Sequence, residues 1–118
     1  MGYPDRFLTT YTSGLGRGEM ISQYYPGQQR LYVEALDVSP KAERIGYAVY
    51  KETISQLAAM GKPVNSIAGE MGGDNWLKFQ ATGDYRQMPS IKIREELGFH
   101  HHEWIGEEGP SGIVLSTR

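Results

Sequence analysis

The stretch LYVEALDVSPKAERIGYAVYKETISQLAAMG, Leu31 to Gly61, constrains the fold more than any other part of the chain. Residues 30–38, RLYVEALDV, are an apolar run too short for a free-standing helix and closed by Ser39-Pro40, which predicts a buried strand. Residues 44–60 place Ile45, Val49, Ile54, Leu57 and Ala58 near one stripe. Lys51, Glu52 and Gln56 fall elsewhere and Gly61 stands as a stop, so an amphipathic helix is expected. Gly46, in the first turn of that helix, weakens it by about 1 kcal/mol relative to alanine. Either the local backbone or something lying against it accounts for the choice. A strand running through a turn into a helix N-terminus is a layout that holds a phosphate, because the first turn has unpaired N–H groups and the positive end of the dipole. The same glycine serves equally as a packing device between helix and strand.

The remainder of the chain builds around this core. KPVNSIAGEM predicts a second strand over Val64 to Ala68, so strand, helix and strand fill the span of one right-handed crossover and make the core α/β. GDNWLKFQATG supplies a short helix started by Asp74 or Asn75, and MPSIKIREELG a second with Pro89 near its start and Gly98 after its end. FHHHEWIG and GIVLST read as two strands joined across EEGPSG. Residues 1–29 hold five glycines and two prolines without a sustained period, which predicts an irregular segment with one short helical turn near Met20 to Tyr24. GLGRG, Gly14 to Gly18, reads as a flexible turn, since no strand is expected before it and no helix with a P-loop lysine follows. The organisation expected is thus an irregular segment, 1–29, and one folded domain, 30–118.

Composition narrows the functional classes. At 118 residues and 39% apolar content the chain supports one modest core. Its net charge of -2, with 12 basic and 14 acidic residues mixed along the sequence, offers no basic face for a nucleic-acid backbone. With no cysteine, disulfides, thiolate zinc sites and cysteine nucleophiles are all excluded. No apolar stretch approaches the roughly 18 residues that span a bilayer, and the N-terminus lacks a signal-peptide layout. A soluble protein without a membrane partner is expected.

The segment V38-S-P40-K-A-E-R-I-G46-Y-A48 resembles the acetyl-CoA-binding segment of the GCN5-related N-acetyltransferase (GNAT) family, in which a strand ending in V-x-P leads through R/Q-x-x-G-x-G/A into a long helix. Pro40, Gly46 and Ala48 stand at the family spacing; Glu43 falls on the arginine or glutamine, with Arg44 beside it. IREELGF is similar to the LYEKLGF segment that closes the family's last core helix, Arg94 falling on its tyrosine. The resemblance implies an α/β (α+β) fold with a mixed central sheet, a strand-turn-helix core, flanking helices and a shortened N-terminal part. It implies an N-acyltransferase that moves the acyl group of acetyl-CoA, or another acyl-CoA, to an amine acceptor. The amides around Arg44, Ile45, Gly46, Tyr47 and Ala48 would hold the pyrophosphate, and Leu36 and Val38 would align the pantetheine arm. Glu34, six residues before Pro40, matches the position of a glutamate that helps deprotonate the amine. GDNWLKFQATGDYRQMPSIKIREELGF further resembles acetyltransferase-like domains at the C-terminal ends of bacterial polymorphic toxins of Rhs type. That resemblance implies an effector delivered within a larger secreted protein to act in the cytoplasm of a target cell, with a cognate immunity protein as partner. The competing expectation is a non-catalytic toxin or binding module on the same core.

Other residues invite functional readings of their own. His100 and His102 are spaced to share a strand face and to take a proton from an acceptor beside a cleft. As metal ligands they need a third group, such as Glu103 or a distant carboxylate, and a solvated strand face explains them more simply. Glu34 reads either as a carboxylate paired with an arginine such as Arg30, or as a base whose pKa burial raises toward neutrality. Tyr47 and Tyr50 read as helix packing, Trp76 and Phe79 as a hydrophobic clamp over the sheet, and Glu70 and Asp74 as a surface turn or an amine-binding site.

Overall fold

A computed structural model describes residues 5–14, 16–39 and 43–118. It is an α+β structure containing, among those residues, six strands, three α-helices and one 3-10 turn. They group into two compact units, Met1–Asn65 and Ser66–Arg118.

The first unit is an antiparallel meander with one helix. Strands β1 (Asp5–Ser13), β2 (Gly16–Tyr25) and β3 (Arg30–Ser39) pair in order, and α1 (Glu43–Ala59) packs on them. The irregular segment and the helical turn expected within residues 1–29 are therefore replaced by two long strands. The reason lies in β2, where Gly18, Met20, Ser22 and Tyr24 alternate buried with partly exposed neighbours. Two of these four inward positions carry no apolar side chain, so the period of 2 is present in burial but not in hydrophobicity. Gly18 is small because α1 lies against it: a Cβ there would stand 2.6 Å from Val49 Cγ2 and 3.0 Å from Ile45 Cγ2. Of GLGRG, expected as a flexible turn with no strand before it, only Gly14 among the described residues lies in the turn: β1 precedes it, and Gly16 to Gly18 belong to β2.

β3 and α1 lie where the sequence places them. Ile45, Val49 and Leu57 are buried as expected, joined by Gly46, Tyr50 and Thr53, while Ile54 is half-buried and Ala58 exposed. Thr53 is accommodated by hydrogen bonds with Thr9 Oγ1 (2.8 Å) and Val49 O (2.9 Å). Gly61, at φ 74°, ends the helix, and Lys62 N–H returns to Leu57 O.

The second unit is built on β4 (Ser66–Glu70), β5 (His101–Ile105) and β6 (Ile113–Thr117). β6 pairs antiparallel with both of the others. Between β4 and β5 come α2 (Asp74–Thr82), a 3-10 turn (Tyr85–Gln87) and α3 (Pro89–Glu96). Pro89 opens α3 as expected, and Gly98 at φ 94° closes it with Phe99 N–H on Arg94 O. The second strand starts two residues later than Val64, at Ser66, and runs to Glu70. Met71, Met88, Ile91 and Val114 form the core, with Phe79, Tyr85 and Trp104 packed against it. Asn75 ties α2 to the start of α3 by donating to Ser90 Oγ and accepting from Ser90 N–H.

Candidate functional site

In the first unit the sequence candidates converge on β3 and the start of α1. Val33 pairs with Ser22 and Ala35 with Ile21, so the register shifts by one residue at Glu34. Glu34 is thus the extra residue of a β-bulge, a device that re-aims a side chain and recurs beside active sites. Its carboxylate lies on the solvent face, where Arg6 donates from Nε to Oε2 (3.0 Å) and from Nη2 to Oε1 (3.2 Å), and Gln23 Nε2 donates to Oε2 (2.9 Å). The hydrogen bond from Gln23 above all, with Arg6 adding to it, holds the Glu34 pKa below the usual carboxylate value. The pKa raised by burial, expected of a general base, is therefore not what this environment produces. The arginine that pairs with Glu34 is Arg6 rather than Arg30.

Beyond the bulge Leu36 and Val38 are half-buried, and Pro40 lies outside the described residues. Glu43 is the first residue of α1, and its side chain lies outside those the structure describes. Next to it Arg44 is exposed, with its guanidinium 4.7 Å from the centre of the Tyr47 ring, and Lys51 Nζ approaches the same ring at 6.0 Å. Ile45 and Gly46 are buried, Tyr47 and Ala48 half-buried, and Tyr50 is core. The first turn of α1 therefore holds Gly46 and the exposed Arg44, and Tyr47, at the start of the next turn, has Arg44 on one side and Lys51 of the third turn on the other.

The second unit brings the histidines together on a residue that the sequence did not single out. Glu95, near the end of α3, takes His100 Nδ1 on Oε1 (2.7 Å) and His102 Nε2 on Oε2 (2.5 Å), with Arg86 Nε 3.7 Å away. His102 Nδ1 lies 2.8 Å from Ser116 Oγ, and Arg94 Nη1 donates to Ser116 Oγ (3.0 Å) and Val114 O (2.9 Å). Since the Glu95 carboxylate can only accept, His102 donates to it from Nε2, and in the neutral ring Nδ1 is then left to accept from the Ser116 hydroxyl. The His102 side chain is 4% exposed, and Ser116 and Arg94 are fully buried. Burial first, then the nearby Arg94 and Arg86 charges, push the His102 pKa below the ordinary histidine value against the pull of Glu95. Burial acts to raise the Glu95 pKa, but hydrogen bonds with His102 and His100 outweigh it and the net shift is downward.

With both ring nitrogens hydrogen-bonded and its side chain almost unexposed, His102 is a structural member of the relay from Glu95 to Ser116, whereas the His100 side chain is 60% exposed. Among the described residues no group of three or more histidine, aspartate or glutamate side chains is arranged to hold a metal ion. Arg94 acts as a buried clamp on β6. Trp76 and Phe79 do form an apolar clamp: with Tyr85 and Trp104 they make a cluster of rings 5.4 to 6.2 Å apart. Glu70 and Asp74 are exposed, as a surface turn requires. A depression of about 480 Å³ in the loop joining β5 and β6 is lined by Ile105, Ile113 and residues 107–112, none of them a candidate. The helices are neither long nor apolar enough to cross a membrane among the described residues.

Comparison with known proteins finds no matching family model, no matching curated protein and no matching solved structure.

Proposed function

We propose that the chain is an acyl-CoA-dependent N-acyltransferase of GNAT type that passes an acetyl group from acetyl-CoA to an amine. The observation that carries this reading is β3 itself. It bears a bulge at the glutamate that the resemblance nominates, and it leads into a seventeen-residue helix whose first turn holds Gly46 and the exposed Arg44. A helix N-terminus with nearby cations suits a pyrophosphate, so the amides of Arg44 to Ala48, with the Arg44 and Lys51 side chains, are assigned to it. Leu36 and Val38 are assigned to the pantetheine arm. When bound, acetyl-CoA supplies a thioester carbonyl for attack by the amine: the C–N bond forms, the C–S bond breaks and the thiol leaves.

The environment of Glu34 gives it a specific part in that exchange. Held ionised by Gln23 and Arg6, it acts as a fixed anion that orients the amine and steadies the positive charge gained on attack, while the proton the amine sheds passes through water to the leaving thiolate. In the effector form of this reading the acceptor is a macromolecule of the target cell and the partner is a cognate immunity protein.

A second reading, a binding module without turnover, is favoured by one observation. The two positions matched to proton-handling residues are otherwise engaged, Glu34 by Arg6 and Gln23, and Arg94 by Val114 and Ser116. Calorimetric titration with acetyl-CoA is the test. Absence of binding up to millimolar ligand defeats the acyltransferase; binding without acetylation of any amine in a polyamine and peptide panel supports the second reading.

A further inference from the structure

We propose that β1 is a self-association edge, and that a second copy of this chain adds to it antiparallel, with Thr9 opposite Thr9 of the copy. This inference stands independently of the acyltransferase reading. Among the described residues of the first unit β1 is the outermost strand, paired with β2 on one side only. Its nine residues, DRFLTTYTS, include no proline and no lysine, and no bulge interrupts its pairing with β2. Its two charged residues, Asp5 and Arg6, stand at its first two positions, so from Phe7 to Ser13 the strand carries none of the prolines, charges or bulges that discourage pairing along an open edge.

The direction of the backbone groups follows from the hairpin. Ser13 and Gly16 close a two-residue turn, and the closing pair of such a turn is hydrogen-bonded. Counting back, Tyr11, Thr9 and Phe7 direct their N–H and C=O groups at β2. Arg6, Leu8, Thr10 and Thr12 direct theirs outward, ready for another strand.

Side chains argue for a copy of the same strand rather than an unrelated one. Thr9 is the centre of β1, so an antiparallel copy centred there overlaps all nine residues. On the face covered by α1, Phe7 comes opposite Tyr11 of the copy and Tyr11 opposite Phe7, giving two aromatic cross-strand pairs from rings that are half-buried in the single chain. On the other face Leu8, 66% exposed, lies across from Ile21 and, through it, from Ala35. The two copies of Leu8 become diagonal neighbours, about 7–8 Å apart, so the apolar row of one meander runs on into the next. Arg6 falls opposite Thr12, already paired with Glu34, and no like charges meet.

Sedimentation equilibrium of the 118-residue chain is expected to show a dimer forming between micromolar and millimolar concentration. Leu8→Lys puts a charge on an exposed position of the seam. Thr10→Pro removes an outward N–H without touching the β2 ladder. Each is expected to weaken the dimer by about tenfold or more, with the far-ultraviolet circular dichroism unchanged. Amide exchange of the wild-type chain gives a readout that needs no variant: protection at Arg6, Leu8, Thr10 and Thr12 rises with protein concentration while that of Phe7, Thr9 and Tyr11 does not. A chain that stays monomeric throughout, or that dimerises with those four amides unprotected, overturns the proposal. So does a dimer that survives both substitutions.

Discussion

Glu34 and Arg94 are both charged residues set in apolar surroundings of the sequence, and their environments treat them in opposite ways. Glu34 is lifted to the solvent face by the bulge and neutralised there by Arg6. Because an exposed pair contributes little stability, Glu34→Gln is expected to leave the stability read from urea unfolding within about 0.5 kcal/mol of the wild type while lowering the rate of the proposed acetyl transfer. An unchanged rate would remove Glu34 from the mechanism. Arg94 is fully buried, and its Nη1 holds Val114 O and Ser116 Oγ. Arg94→Met leaves those acceptors without their donor and is expected to cost about 1–3 kcal/mol, read as a lower urea midpoint. Glu34 stands out in the sequence as an acid at the centre of an apolar strand. Its partners do not, being 28 and 11 residues away. Glu95 is harder still, since it sits beside an identical residue, Glu96, and only the turn after α3 decides which of the two faces the histidines.

At the scale of elements, the parts legible in the sequence are those where side-chain chemistry and burial agree. α1 has a clear apolar stripe and a glycine stop, α3 has its proline and glycine at the two ends, and the last two strands flank a loop rich in turn residues. β1 and β2 were missed because agreement fails there: inward positions are filled by Gly18, Ser22 and Thr9, whose small or polar side chains hide the alternation. The same substitution of size for hydrophobicity lets α1 approach closely. Gly18→Ala drives a methyl group into Val49 and Ile45, and overpacking of this kind costs about 1–3 kcal/mol. Thermal unfolding followed at 222 nm should show the loss, and Val49→Ala in the Gly18→Ala background should recover part of it by making room. The Gly46 puzzle resolves partly at this level too. Gly46 is buried in the first turn, yet the close contact measured between α1 and its sheet is made at Gly18, on the strand side.

Across the whole molecule the titratable groups are distributed unevenly. All three histidines lie in the second unit, and His102 there has a pKa below the ordinary 6.5. A histidine depressed in the folded state binds its proton more readily when unfolded, so its contribution to stability is full above 6.5 and is lost as the pH falls below it. Glu95, depressed below 4.5, adds a second loss at more acid pH, where its carboxylate must be protonated. As the pH is lowered from 7.5 to 5.5, amide protection, taken relative to the slower intrinsic exchange at the lower pH, should therefore fall in residues 66–118 and hold steady in residues 16–39. His102→Gln should flatten this pH dependence while lowering stability at neutral pH. Equal acid sensitivity in both regions would count against the relay as the origin.

The ring cluster of Trp76, Phe79, Tyr85 and Trp104 has a practical corollary. The chain contains two tryptophans, and both stand in this cluster, edge to face at 6.0 Å. Fluorescence excited at the red edge of the aromatic band thus reports on the second unit alone and leaves the meander dark. Two indoles held so close couple as excitons, so their paired near-ultraviolet dichroism bands should vanish together when α2, none of whose residues is fully buried, comes away from β5.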